Sequence, residues 1–556
     1  MRNGASDSFD YVIVGAGSAG CVLADRLSAD GENRVLVLEF GGSDRSVFIQ
    51  MPSALSIPMN MKKYNWMYES EPEPGLGGRR MHCPRGKVLG GSSSINGLVY
   101  MRGAPADFDR WEEEGAQGWS YSDVLPYFRK AESRREGGDE YRGGDGPLTT
   151  RYGKLENPLY RAFIEAAQQA GYPASEDVNG YAQEGFGRMD MTVKDGVRWS
   201  AANAYLRPAM KRSNLKVETH ARVERVLFEG RRAVGVVWSR DGRRHSVRAS
   251  REVILSGGPI NSPQLLKLSG IGNADELHAH GIEVVAHRPG VGENLQDHLE
   301  FYFQQACTQP ITLYSQMGLV ARGMIGARWL LTKDGLGATN HFEACGFIRS
   351  RPGIASPDIQ YHFLPLAVTY DGQGLASEHG FQAHVGPMRS KSRGWVRLAS
   401  ADPMEPPRIR FNYLSHEDDM VEFRACVRLT REIFAQKAFE PYRGREIQPG
   451  ADVTDDASID AFVRAKVESA YHPSCTCRMG APSDPLAVLD PQMRVIGVEG
   501  LRVVDSSAMP SITNANLNAP TIMMAEKAAD HILGRALLAP SNAPVYAAPN
   551  WQSAQR

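Results

Sequence analysis

Three glycines and one acid carry the first chemistry this chain offers. Gly15, Gly17 and Gly20 stand in the spacing GxGxxG, and Glu39 follows about 20 residues further on. Each has a task at a dinucleotide. Gly15 permits the tight turn, Gly17 lets the backbone approach a pyrophosphate, and Gly20 lets the following helix pack on its strand. Ser18 stands at the head of that helix, among N–H groups that attract phosphate. Glu39 can accept hydrogen bonds from a ribose diol and would repel the 2′-phosphate of NADP. FAD and NAD share the adenosine diphosphate, so the motif leaves both open. A plain βαβ unit without a ligand is the competing reading.

A second block, GKVLGGSSSINGLVYMRG, runs from Gly86 to Gly103. Gly90, Gly91, Ser92 and Ser93 let a backbone come close to something bulky and flat, and Asn96 can add an amide. A small-residue turn is the ordinary alternative. The length of the block, and its poor fit to helix or strand, favour ligand contact. The seven cysteines are scattered and odd in number, which suggests a reducing compartment. Cys475 and Cys477 form a CxC with no second pair at ligand spacing, so no metal site is expected.

These residues need elements to hold them. The apolar run Tyr11 to Val14 reads as a buried parallel strand, a helix begins at the glycines, and Val35 to Leu38 is the next strand, ending on Glu39. Asn157 can cap a helix to Ala170 with Pro158 in its first position. A β-ribbon is expected over Leu215–Thr219, Ala221–Phe228 and Ala233–Trp238, then a return strand Glu252–Ser256 and a short helix Pro263–Leu268. From about residue 312 to 462 the glycine turns give way to strand-like runs with aromatics and histidines, such as DIQYHF, around a helix from Val421 to Phe434. The chain then returns with a buried strand, Leu501 to Val504, ending on Asp505, and a helix from Thr521 to Leu533. The fold class expected is an α/β Rossmann-like nucleotide-binding domain, discontinuous in sequence, with a second mixed α+β substrate domain.

A chain of 556 residues suits two or three domains, and 42% apolar residues is ordinary for a globular protein. A net charge of −1 points to no nucleic-acid partner. The N-terminus, MRNGASDSFD, lacks the apolar core of a leader, and no apolar run is long enough to span a bilayer. A cytoplasmic location follows as the expectation. Residues 311–331 mix apolar residues with Arg322 and Arg328 and can lie on a membrane surface, or serve as a lid.

Taken in order, these motifs resemble the glucose–methanol–choline oxidoreductase family over nearly the whole chain, from Phe9 to about Leu533. The resemblance rests on the dinucleotide unit, GKVLGGSS, the block from Gly258-Pro259 to Ser269-Gly270-Ile271-Gly272, Tyr471-His472-Pro473, and the Asp505-to-Thr521 segment. NHFEACGFIRS, QYHFLP and HEDDMVEFRA are similar to the choline-oxidising members in particular. The resemblance implies FAD, with residues 1–155, 200–311 and 463–540 forming the FAD domain, 156–199 and 312–462 the substrate domain, and 541–556 a tail. It places Gly15, Gly17, Ser18, Gly20 and Glu39 on the adenosine diphosphate, and the Val223 backbone on adenine. Gly90, Gly91, Ser92 and Asn96 would lie along pyrophosphate and flavin, and Asp505 and Asn518 on the ribityl chain and ring. Choline-oxidising relatives attach the flavin through a histidine just before the asparagine; Ile95 stands there, so non-covalent FAD is expected.

The chemistry implied is oxidation of an alcohol, choline, to its aldehyde, with glycine betaine as a further product and a membrane quinone or other acceptor taking the electrons. His472 would act on the hydroxyl proton, since a histidine titrates near operating pH. Asn516 would be its partner, although a shift of two residues would put Asn518 there. Glu300 matches the carboxylate that meets the cation, Trp66 and Tyr471 are candidate cage walls, and His362 is a further site histidine. An enzyme for another alcohol and a non-redox FAD-containing lyase are the alternatives.

Overall fold

The computed structural model describes residues 8–368 and 378–556; residues 1–7, part of the segment read for a leader, lie outside them. In chain order, the elements that frame the site begin with β1 (Ser8–Val14), α1 (Ser18–Leu27), β2 (Val35–Leu38), α2 (Pro158–Gln169), β3 (Gly185–Arg188), β4 (Leu215–Glu218), β5 (Arg222–Glu229), β6 (Arg232–Arg240), β7 (Arg243–Leu255) and α3 (Gly258–Leu268). They continue with β8 (Leu299–Cys307), α4 (Leu319–Thr332), β9 (Ala344–Ile348), β10 (Ile359–Leu364), β11 (Gly380–Pro387), α5 (Glu417–Phe434), β12 (Arg443–Gln448), β13 (Leu501–Val503) and α6 (Asn518–Leu533).

The first sheet runs β4-β2-β1-β7-β6-β5, with β13 added on β7. Strands β4, β2, β1, β7 and β13 are parallel, and β7, β6 and β5 close it as an antiparallel ribbon. All four residues of β2, and Tyr11 to Val14 of β1, are buried, as a sheet covered on both faces requires. Two expectations change here. The segment from Leu215 does not join the ribbon; it pairs in parallel with β2, whose outer edge would otherwise leave backbone groups unpaired. The return strand starts at Arg243, because its polar, exposed front half hides the strand signal while still pairing with β6. Helices α3 and α6 also begin earlier than expected, since Pro259 and Pro520 are tolerated in a first turn.

The second sheet is antiparallel, in the order β12-β8-β11-β10-β9-β3. Its period-two pattern divides two kinds of residue. Phe301 and Phe303 of β8, Tyr361 and Phe363 of β10, and Phe381 and Ala383 of β11 pack with α2 and α5 residues such as Phe163 and Phe434. Phe163 stacks on Phe363 with ring centroids 4.6 Å apart. The alternate positions, Glu300, Gln304, Gln360, His362, Gln382 and His384, are polar yet buried, and belong to the opposite face. Strand β8 lies in this sheet, although its residues fall within the stretch to 311 expected in the FAD domain.

Candidate active site

One long pocket connects the two sheets. Its walls run from Gly15, Gly17, Ser18 and Glu39, past Gly91, Ser92, Asn96, Val223 and Asp505, to Glu300, His362, Tyr471, His472, Asn516 and Asn518. At the nucleotide end the close-packing glycines show their purpose. A Cβ on Gly20 would stand 2.0 Å from the Gly15 carbonyl oxygen, so Gly20 packs α1 on the turn and does not line the pocket. A Cβ on Gly91 would stand 2.6 Å from the Gly17 Cα, so the two glycine loops interlock. Gly90 is likewise behind the pocket wall, turning the chain at φ +87°.

The residues present fit a dinucleotide. Helix α1 starts without a capping side chain, which leaves its first N–H groups to a ligand. The Glu39 carboxylate accepts from the backbone N–H of Ala16 and Gly41 at 2.8 and 2.7 Å, and burial pushes it up to about 7 despite those bonds. Such a buried acid is suited to ribose hydroxyls, which can donate to it. Asp505 accepts from the Gly258 N–H and the Ser262 hydroxyl, which anchors the head of α3 to the pocket. The Ser18 hydroxyl donates to Asn518 at 2.7 Å, tying α1 to the first residue of α6. Ile95 is buried with Val88 and Tyr64 and also lines the pocket.

At the other end the chain builds a hydrogen-bonded relay. The Asn516 Nδ2 lies 3.0 Å from His472 Nε2, while its Oδ1 is 3.2 Å from both Gln360 Nε2 and His362 Nε2. Asn516, and not Asn518, therefore meets His472. The His472 Nδ1 is 3.1 Å from Nδ1 of His298, whose Nε2 lies 3.0 Å from the Met388 carbonyl. That carbonyl only accepts, so His298 carries its proton on Nε2 and burial holds it neutral, down at about 4. Its Nδ1 is then a lone pair, and His472 must donate from its own Nδ1. This leaves a lone pair on His472 Nε2, aimed at Asn516. Burial, then the neighbouring His298, His362 and Arg85, hold His472 well below its ordinary 6.5. The backbone there is fixed too. The His472 N–H donates to Asp297 at 2.7 Å, and Tyr471 is held at φ +65°.

Glu300, from β8, is 2.8 Å from Nδ1 of His384 and shares this part of the pocket with His362, Phe342 and Tyr471. Trp66 has close neighbours of its own. Its ring stacks with Phe40 and Tyr68 at 5.1 and 5.6 Å and already carries the Arg222 and Lys87 cations at 4.8 and 5.8 Å. Trp66 also lines the pocket, and those two cations stand against its ring. Phe342, edge-on to His384 at 5.3 Å, is the aromatic that sequence reasoning missed, together with His298 and His384. For His384 the sequence carries only the general pattern that polar residues recur at every second position of β8, β10 and β11, which does not single it out.

The model of the GMC oxidoreductase family matches in two parts, its N-terminal domain over residues 9–300 and its C-terminal domain over residues 390–525. The chain belongs to the GMC oxidoreductase family. A protein of this family named oxygen-dependent choline dehydrogenase, from Photobacterium profundum, is 61% identical over 551 residues, 99% of this chain and 97% of that one. One of the same name from Brucella canis is 60% identical over 548 residues, 98% and 100% of the two chains. Among solved GMC-like structures, pyridoxine 4-oxidase from Mesorbium loti superposes with a TM-score of 0.86 at 31% identity, covering 95% of this chain and 99% of that one. Formate oxidase from Aspergillus oryzae gives 0.89 at 26%, covering 95% and 98%.

Proposed function

We propose that this GMC oxidoreductase is an FAD-dependent enzyme that oxidises choline to betaine aldehyde. The observation that carries the choice of alcohol is Glu300, a buried carboxylate in the same pocket as the His472–Asn516 pair. The names of relatives about as similar as 60% over nearly the full length support it. Bound along Gly15, Gly17, Ser18, Glu39, Gly91, Ser92, Asn96, Val223, Asp505 and Asn518, FAD supplies the oxidant for the substrate C–H bond. The chain supplies the rest. His472 Nε2 takes the hydroxyl proton, and the Asn516 amide donates to the alcohol oxygen and keeps it in place. A trimethylammonium group has no N–H to donate, so it is met by the Glu300 charge and the faces of Phe342 and Tyr471. Anaerobic titration of the FAD-loaded protein with choline tests this. Bleaching of the flavin absorbance is the expected result. Bleaching by simple aliphatic alcohols but not by choline would overturn the substrate, and no bleaching by any alcohol would overturn the redox role.

We also propose that a quinone-type acceptor takes the electrons, and that the protein meets the cytoplasmic membrane surface through α4. Among the described residues no helix is long and apolar enough to cross a membrane. Helix α4 instead lays its apolar residues outward: Leu319 is 81% exposed and Leu331 85%, with Arg322 and Arg328 beside them to meet anionic headgroups. The two sheets are proposed as the cores of the FAD and substrate domains, with the crossing at the start of β8.

A further inference from the structure

Glu300 does not stand alone in the pocket wall. The residue that bonds it, His384, is itself bonded on the far side, with its Nε2 2.8 Å from the amide nitrogen of Gln382. The orientation of that amide is fixed independently. Gln382 Oε1 accepts from the backbone N–H of Val368 at 2.8 Å and from Gln304 Nε2 at 2.9 Å, and Gln304 also donates to the Val368 carbonyl. A turned amide would face N–H against N–H at Val368, so the nitrogen of Gln382 must point at His384. Both partners are buried, Gln382 completely.

Counting protons along this row leaves one solution. Gln382 donates, so His384 Nε2 is a lone pair. Glu300 accepts, so His384 Nδ1 carries a proton. His384 therefore holds a single proton and no charge, although it sits against a carboxylate that would welcome an imidazolium. Among the described residues, the rings of Tyr302 at 4.4 Å, Phe342 at 5.3 Å and His362 at 6.5 Å also stand around it. We propose that Gln382 is a specificity-determining positioning residue: by donating to His384 it keeps that histidine neutral, so the Glu300 charge stays uncancelled and available to a cationic substrate. The inference rests on the proposed meeting of Glu300 with a quaternary ammonium. It adds that Gln382, out of reach of the substrate, decides how strongly the pocket prefers a cation.

Two measurements on the FAD-loaded protein test it. The first is the ¹⁵N spectrum of histidine-labelled protein near neutral pH, with the His384 signals assigned by their loss in His384→Asn. One protonated and one unprotonated nitrogen, the proton on Nδ1, is the expected result; an imidazolium pattern, or the proton on Nε2, overturns the proposal. The second is Gln382→Glu, which turns the donor into an acceptor while keeping the side-chain shape. It should convert His384 to an imidazolium and reduce the ratio of choline affinity to that of neutral 3,3-dimethylbutan-1-ol by at least about threefold. A ratio that stays unchanged once His384 is charged overturns the specificity role. A folding defect would lower both affinities together. If the unaltered protein already binds choline and the neutral isostere equally, it is the substrate reading that fails, while the spectrum still reports on the lock.

Discussion

His472 is poised by its neighbours. Met388, His298 and Asn516 together leave the Nε2 lone pair as the group able to take a proton. His472→Ala should keep its FAD but slow anaerobic flavin reduction by choline at least ~100-fold, the range for loss of a general base. An unchanged rate in stopped-flow measurement would remove His472 from the mechanism. Glu300→Gln separates charge from shape. At an effective dielectric near 20 and about 5 Å, a carboxylate–ammonium attraction is on the order of 3 kcal/mol before desolvation is subtracted. Choline affinity should therefore fall roughly 5- to 30-fold while 3,3-dimethylbutan-1-ol loses little; equal losses would make Glu300 a structural residue. Ile95 bears on the cofactor. Its hydrocarbon side chain cannot bond to a flavin, so acid precipitation should release intact FAD into the supernatant, and flavin left on the pellet would contradict this.

At the scale of elements, the GxGxxG turn, β1, α1 and β2 were legible because every level agreed: apolar runs, glycine spacing and a terminal acid. The relay around His472 was legible only in part. Tyr471-His472-Pro473 and Asn516 could be singled out, but His298 and His384 could not. Their partners lie 174 and 84 residues away in sequence, and only the folded sheet brings them together. The cations against Trp66, Arg222 and Lys87, could not be read from its own stretch of sequence, because an aromatic's neighbours come from elsewhere in the chain. Helix α4 is an element whose apolar residues the fold leaves exposed. Of its residues only Trp329 is buried, held by a bond from its indole N–H to the Gly196 carbonyl. Replacing both Leu319 and Leu331 by glutamate should abolish cosedimentation with anionic phospholipid vesicles and leave choline-driven flavin reduction intact. Equal cosedimentation of the altered and unaltered proteins would rule α4 out as the contact.

For the whole molecule, placing neutral histidines in the interior ties stability to pH. His298 is fully buried and held down at about 4, against an ordinary 6.5. Between those values the unfolded chain binds a proton that the folded one refuses, so stability is intact above 6.5 and is lost as pH falls towards 4. A shift of that size corresponds to roughly 3 kcal/mol. His298→Asn should flatten the dependence of the urea midpoint on pH in this window by about one proton's worth; identical slopes would show that His298 does not carry it.

The strict alternation of β8, β10 and β11 has a consequence for how this enzyme can change. One face of each strand is the aromatic core under α2 and α5, and the other carries the buried polar residues, of which Glu300, His362 and His384 line the pocket. Substitutions at Glu300, His362, Gln382 or His384 can redraw the substrate while the core beneath is untouched, so specificity and folding are separately adjustable. A single inserted or deleted residue within one of these strands is a different event. It would turn phenylalanines into the pocket and carboxylates and imidazoles into the core, exchanging the two surfaces at once. Evolution along these three strands is thus confined to substitution, and length variation is left to the loops that join them.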